Sequence, residues 1–284
     1  MISRFDHVVI GVRDLEAASA RYRALGFEVN PGGRHTGLGT ANAIIRFGVD
    51  YIELLTVADP EEAERAGGSS KVLLDLLQDR PGALAGYALA TANIEEDAER
   101  LKQGGLAAVG PFAMERLRPD GRLLSWRLLV PEGVSWRRPW PFLIQWDQSD
   151  EQRLSWEQPG SHPNGATTVL GVSVAVANLD DAVALYRDKL GLEPRVEGDR
   201  ATIPVGRFQI TLVPASANDA AARTLAEIGE GPVEAVIGVR DLARTESVLT
   251  EAGVAWQREE DGGIRVDPDQ AVGARLVFRE ATSS

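Results

Sequence analysis

Three histidines, His7, His35 and His162, are the only imidazoles in the chain, and His7 opens an apolar run, Val8-Val9-Ile10, in which it needs a partner. Glu53 stands between Tyr51-Ile52 and Leu54-Leu55. An unpaired carboxylate buried there is very costly, so Glu53 must face water, a partner or a metal. A strand period of two sets His7, Val9 and Gly11 on one face, and Tyr51, Glu53 and Leu55 on one face of another strand. His35 follows Gly32-Gly33-Arg34 and reads as part of a Gly-rich loop between strands. With His7 and Glu53 it would complete a two-His, one-carboxylate set that suits iron, manganese, cobalt, nickel or zinc, and it could equally hydrogen-bond a substrate or cap a turn. Asn42 could orient a ligand carbonyl or hydroxyl, or cap the turn into the next strand.

Further along, Arg116 and Arg118 lie beside Pro119-Asp120-Gly121, which reverses the chain on its own account, and their guanidinium groups could pair with a carboxylate or phosphate. Trp126, Trp136, Trp140, Trp146 and Trp156 crowd one stretch. Such density reads as packing, or, with Trp126 foremost, as a wall for an apolar or aromatic ring. His162, in Ser-His-Pro-Asn-Gly, reads as a loop residue.

The elements that must position these groups repeat four times. A β-branched run leads to a helix cap, an amphipathic stretch and a closing glycine, with caps at Asp14, Asn93, Asn178 and Asp241 and glycines at Gly26, Gly104, Gly191 and Gly253. Short strand-like runs follow each helix, so the unit reads β-α-β-β-β. In the first copy the runs are Phe27 to Asn30, Ala43 to Phe47 and Tyr51 to Val57, with Gly48-Val49-Asp50 as a hairpin region. That copy carries an extra segment, Asp59 to Arg80, with a helix at Lys71 to Asp79, which reads as a surface insertion or as a lid. Asp147 to Thr168 breaks the periodic pattern and separates a domain at 1–150 from a second at 165–284.

A fourfold βαβββ repeat with His7 in its first strand and Glu53 in its fourth resembles the vicinal oxygen chelate superfamily, which includes glyoxalase I, extradiol dioxygenases and bleomycin-resistance proteins. The N-terminal half is similar to a narrower group, the glyoxalase-like domain family, through Leu25-Gly26-Phe27, Gly32 to Asn42, Tyr51 to Leu55, Arg118 to Gly121, Trp126 and Pro141 to Asp147. The resemblance implies an α+β fold in which four modules pair into two cupped mixed sheets with helices outside. It also implies a divalent metal (Zn, Ni, Mn, Fe or Co) held from the first and fourth strands of two modules, with His7, Glu53 and Gln145 as ligands. Counting from the caps, the second module puts Gly86 at the His7 place, and its fourth-strand place aligns best with Gln145, a weak ligand. The third puts Gly171 there with no acid in its fourth strand, and the fourth puts Glu234 there with no carboxylate partner. The second domain is therefore expected to be degenerate, serving packing or a homodimer.

Function divides between two classes at this stage. One is a metal-assisted enzyme of isomerase, lyase or dioxygenase type, with Glu53 as metal ligand or as a base on a carbon next to a carbonyl, His35 in support, and Asn42, Arg116, Arg118, Trp126 and Gln145 gripping substrate. The other is a metal-free protein that binds or sequesters a small molecule. Composition narrows the partners. Cysteine is absent, which removes disulfides, thiolate metal sites and cysteine nucleophiles. The formal charge of −12 disfavours nucleic acid and anionic membrane surfaces. No phosphate-cradling loop precedes a helix, so no nucleotide cofactor is expected. Without a signal-like or spanning segment, a cytoplasmic location is expected.

Overall fold

A computed structural model describes residues 1–118 and 121–281. All four repeats fold as strand, helix and three strands. The first runs β1 (Ile2–Val12), α1 (Leu15–Ala24), β2 (Asn30–His35), β3 (Thr40–Arg46) and β4 (Tyr51–Val57), followed by α2 (Pro60–Ala66) and α3 (Gly68–Leu76). The second runs β5 (Gly82–Thr91), α4 (Ile94–Gln103), β6 (Ala108–Leu117), β7 (Leu123–Pro131) and β8 (Phe142–Trp146), and α5 (Asp150–Trp156) comes after it. The third comprises β9 (Ala166–Ala175), α6 (Leu179–Ala184), β10 (Arg195–Glu197), β11 (Arg200–Val205) and β12 (Phe208–Val213), with α7 (Asp219–Ile228) behind it. The last comprises β13 (Gly231–Val239), α8 (Leu242–Glu251), β14 (Gln257–Arg258), β15 (Ile264–Val266) and β16 (Arg275–Glu280).

The caps do what their residue types predict. Asp14 accepts the N–H of Ala17 at 2.9 Å, Asn93 that of Glu96 at 3.2 Å, Asn178 those of Asp180 and Asp181, and Asp241 that of Ala243. Each such bond satisfies an orphan donor of the first turn and stabilises its helix by about 1 kcal/mol. Gly26 and Gly253 turn the chain out of their helices with φ of 83° and 66°, and Gly191, at 67°, follows the π-helical turn Leu185–Lys189 that continues α6. After α4 that conformation falls to Gly105, at 73°, because Gly104 is still in the right-handed region as the helix closes.

Hydrogen bonding joins the strands into two mixed eight-stranded sheets, ordered β2-β3-β4-β1-β5-β8-β7-β6 and β10-β11-β12-β9-β13-β16-β15-β14. In both, the first strand of a module lies parallel to its fourth, and two modules meet through their first strands. By compactness the chain forms two units, one of 1–6, 85–149 and 171–233, the other of 7–84, 150–170 and 234–284. In the first, Phe5 stacks on Phe208 at 4.1 Å, and the buried hydroxyls of Tyr87 and Tyr186 bond to each other, with Tyr186 also donating to the Pro139 carbonyl. In the second, Phe27 stacks on Phe278, and the buried Tyr22 donates to the Ala271 carbonyl at 3.1 Å. No described helix is long and apolar enough to cross a membrane.

Three segments differ from the sequence expectation, the first being β2, which runs Asn30–His35 and not Phe27 to Asn30. The insertion holds two helices: Asp59 caps α2 by accepting the Glu62 N–H, Pro60 sits at its start, and Gly67 at φ 66° parts it from α3. The stretch read as a break between domains contains α5, whose Arg153 is buried.

His162 is structural. Its Nδ1 accepts the Glu28 N–H at 3.0 Å, its Nε2 lies 3.0 Å from the Arg46 carbonyl, and Phe27 and Phe47 flank the ring. Burial pushes its pKa below the ordinary histidine value, outweighing the Arg46 carbonyl and the Glu28 charge, which favour the proton. The unfolded chain therefore takes up this proton more readily. The stability contribution is full above the ordinary histidine range and is lost as pH falls toward the folded value. Melting between about pH 7.5 and 5 should show the midpoint falling with acid, and the fall should flatten in His162→Gln, which starts from a lower midpoint.

Candidate functional site

The candidate residues of the first module converge because of strand register. β1 and β4 pair in parallel with His7 beside Tyr51 and Val9 beside Glu53, while on β3 Ile44 pairs with Glu53 and Arg46 with Tyr51. Alternation then puts His7, Asn42, Arg46, Tyr51 and Glu53 on one face. His7, Asn42 and Glu53 are only 4%, 6% and 8% exposed, so each must be satisfied by protein or ligand.

Asn42 holds the carboxylate. Its Nδ2 donates to Glu53 Oε1 at 2.5 Å, a charge-assisted bond, and its Oδ1 accepts the Gly33 N–H at 2.9 Å, which fixes which way the amide points. The same Nδ2 lies 3.4 Å from His35 Nε2, and His35 Nδ1 lies 2.9 Å from Thr40 Oγ1. The glycines explain how Asn42 fits: a Cβ on Gly32 would overlap the Asn42 amide oxygen. His35 therefore belongs to a strand, β2, and not to a loop. β2 is an edge strand with a register shift between Pro31 and Gly33, a place that tolerates proline and glycine. Its turn is braced from the entry to the insertion, where the N–H groups of Ala58 and Asp59 donate to the Gly39 carbonyl, and from α2, where Glu62 accepts the Gly37 N–H.

The other carboxylate oxygen, Glu53 Oε2, lies 3.7 Å from His7 Nε2, at ion-pair distance but beyond a hydrogen bond. The His7 ring stacks on Tyr51 at 4.5 Å and 14°, Arg46 lies over the Tyr51 ring at 5.0 Å, and Arg46 Nη2 reaches Glu157 Oε2 at 2.8 Å. Arg46 and Glu157 were not among the sequence candidates. The signal for Arg46 was its place between Ile45 and Phe47, where a cation requires a partner.

The donor set falls short of a catalytic metal site. Such an ion takes three protein ligands, and no group of three His, Cys, Asp or Glu side chains able to hold one occurs among the described residues. His7 and Glu53 are two donors in place, while both ring nitrogens of His35 are directed at Asn42 and Thr40. Gln145 is not the counterpart of Glu53. Counted from the caps through the paired register, that place belongs to Phe142, which pairs with Ala88 as Glu53 pairs with Val9. The Gln145 amide oxygen accepts the Ile94 N–H at 2.8 Å, at the start of α4.

Gln145, Arg116, Arg118 and Trp126 lie in the other compact unit. Trp126 is buried against Trp146 at 5.1 Å as a cross-strand pair, a packing role. Arg116 lies on β6 and Arg118 begins the turn that Gly121 closes, while Pro119 and Asp120 are outside the described residues. At the His7 place of the second module, Gly86 leaves room for the chain at Ser135 and Trp136: an added Cβ would stand 2.7 Å from the Ser135 carbonyl oxygen and 3.0 Å from the Trp136 ring. Gly86→Ala should therefore destabilise by about 1–3 kcal/mol in a denaturant titration. In the fourth module Glu234 and Arg275 pair at 3.0 Å where His7 and Tyr51 stack in the first. Arg275 and Arg265 extend this into a network with Glu259 and Asp267.

Four βαβββ modules forming two mixed sheets, with an imidazole and a carboxylate on paired first and fourth strands, define a protein of the vicinal oxygen chelate fold. The Glyoxalase-like domain profile matches residues 5–190, and the chain belongs to that family. Solved structures agree on the fold. A hypothetical protein from Staphylococcus aureus is 17% identical with a TM-score of 0.71, over 98% of this chain and 99% of its own. A variant of 4-hydroxymandelate synthase from Streptomyces coelicolor is 13% identical with a TM-score of 0.62, over 100% of this chain and 94% of its own. A xylose isomerase-like TIM barrel/4-hydroxyphenylpyruvate dioxygenase fusion protein is 15% identical with a TM-score of 0.56, over 100% of this chain and 50% of its own. No curated protein sequence matches the chain.

Proposed function

We propose that the first module carries a proton-transfer site for a small carbonyl compound, with Glu53 as the base. The observation that supports this is the Asn42 bond to Glu53 Oε1, which fixes the carboxylate plane and leaves Oε2 toward His7. In the reaction a C–H bond next to the carbonyl breaks, its electron pair delocalises onto the carbonyl oxygen, and the proton rests on Glu53 before returning to carbon. His7 Nε2 serves as the neighbouring polar group for the substrate oxygen. Isomerisation or exchange of this kind is balanced without an oxidant. Asn42 and, through it, Gly33 and His35 are positioning groups.

The test is incorporation of solvent deuterium at carbon into hydroxyacetone and pyruvate, followed by proton NMR with and without a chelator. The proposal predicts exchange above the protein-free rate that the chelator leaves unchanged. Exchange lost on chelation and restored by manganese or zinc would move the reading to a divalent ion held by His7 and Glu53. Saturable binding of these probes without exchange would move it to a sequestering protein.

A further inference from the structure

We infer that Arg46 recognises a carboxylate on the substrate, and that Glu157 is an internal carboxylate occupying that place until substrate displaces it. The inference rests on the Glu53 site proposed above and adds a ligand class to it.

Arg46 is the one cation on β3 and β4, and it lies on the face that carries Glu53. It is coupled to the proposed chemistry through one ring: its guanidinium lies over Tyr51, and Tyr51 stacks on His7. Its ion-pair partner comes from neither sheet. Glu157 follows α5 directly, and the two side chains are 8% and 5% exposed. Arginine with a carboxylate is the commonest planar, forked recognition of an acid group, so a ligand carboxylate would make the contact that Glu157 makes. The face is also closed, with His7 and Glu53 below a tenth exposed, so a ligand must uncover it. α5 carries the buried Arg153, and the N–H of Gly160 donates to the Arg46 carbonyl at 2.8 Å, so the segment after α5 is anchored on Arg46 at both backbone and side chain. A ligand that replaces Glu157 binds the uncovered state better than the covered one, and must shift the protein toward it.

The experiment is hydrogen–deuterium exchange mass spectrometry on the full chain, with saturating pyruvate, with hydroxyacetone as the uncharged carbonyl control, and with sodium chloride at matched ionic strength. The expected result is amide exchange over 150–157 accelerated about fivefold or more by pyruvate and by neither control. The doubly substituted Arg46→Met, Glu157→Leu protein, which keeps the volume and removes both charges, should lose the pyruvate response. Equal acceleration by pyruvate and hydroxyacetone would overturn carboxylate recognition by Arg46. No acceleration, in a protein that still exchanges the carbon-bound protons of hydroxyacetone, would overturn the displacement of Glu157 and leave the Glu53 reading standing. Neither acceleration nor exchange at carbon would remove both.

Discussion

Glu53→Gln should lower deuterium incorporation into hydroxyacetone by about 10²–10⁴-fold, the usual worth of a positioned proton acceptor, with the thermal midpoint little changed. The substitution is close to isosteric. The glutamine carbonyl oxygen can still accept the Asn42 Nδ2 hydrogen, so the contact that fixes the side chain survives, and only the proton-accepting oxygen facing His7 is lost. A large rate loss with an intact fold separates chemistry from architecture, and measuring the melting midpoint beside the exchange rate makes that separation directly. A parallel collapse of both would mark Glu53 as a structural carboxylate.

The largest stability effect should come from halving the Arg46–Glu157 pair. Glu157→Leu removes the carboxylate that stands 2.8 Å from a guanidinium only 8% exposed, and breaking a buried pair in this way costs about 3–5 kcal/mol. Adding Arg46→Met should recover most of that loss, because two well-packed apolar side chains are often as stable as the ion pair they replace. Urea unfolding of the two single variants and the double completes the cycle, and the coupling between the sites should be strongly non-additive. Additive costs would mean that Arg46 has other compensation, and would weaken the argument that Glu157 fills a carboxylate place.

Much of the fold was legible because its signals are local. Asp14, Asn93, Asn178 and Asp241 each announce a helix, and a glycine stands 11 to 13 residues after each cap, so four copies could be counted without long-range knowledge. His7 and Glu53 were legible as a pair because strand alternation fixes their faces and the resemblance fixes which strands meet. β2 was misread because Pro31-Gly32-Gly33 reads as loop, whereas an edge strand tolerates both residue types and here needs glycine to admit the Asn42 amide. Gln145 was misplaced because the 132–141 connection is longer than the 47–50 turn at the same place in the first module, so spacing from the caps alone could not locate the β8 register. The role of Glu157 lay beyond local reading. Its partner Arg46 is distant in sequence, and neither periodicity nor capping links an exposed-looking Trp156-Glu157-Gln158 to an arginine on β3.

The proposed role of Glu53, a base that Asn42 holds in place, is tested most directly by one measurement: carbon-proton exchange rates of Glu53→Gln, Asn42→Leu and the double variant on a single probe, hydroxyacetone. If Asn42 acts only through Glu53, Asn42→Leu slows exchange, and the double variant is no slower than Glu53→Gln alone. Rates that multiply, with the double variant slower than Glu53→Gln by the full Asn42→Leu factor, would show the two residues acting independently and would contradict the account.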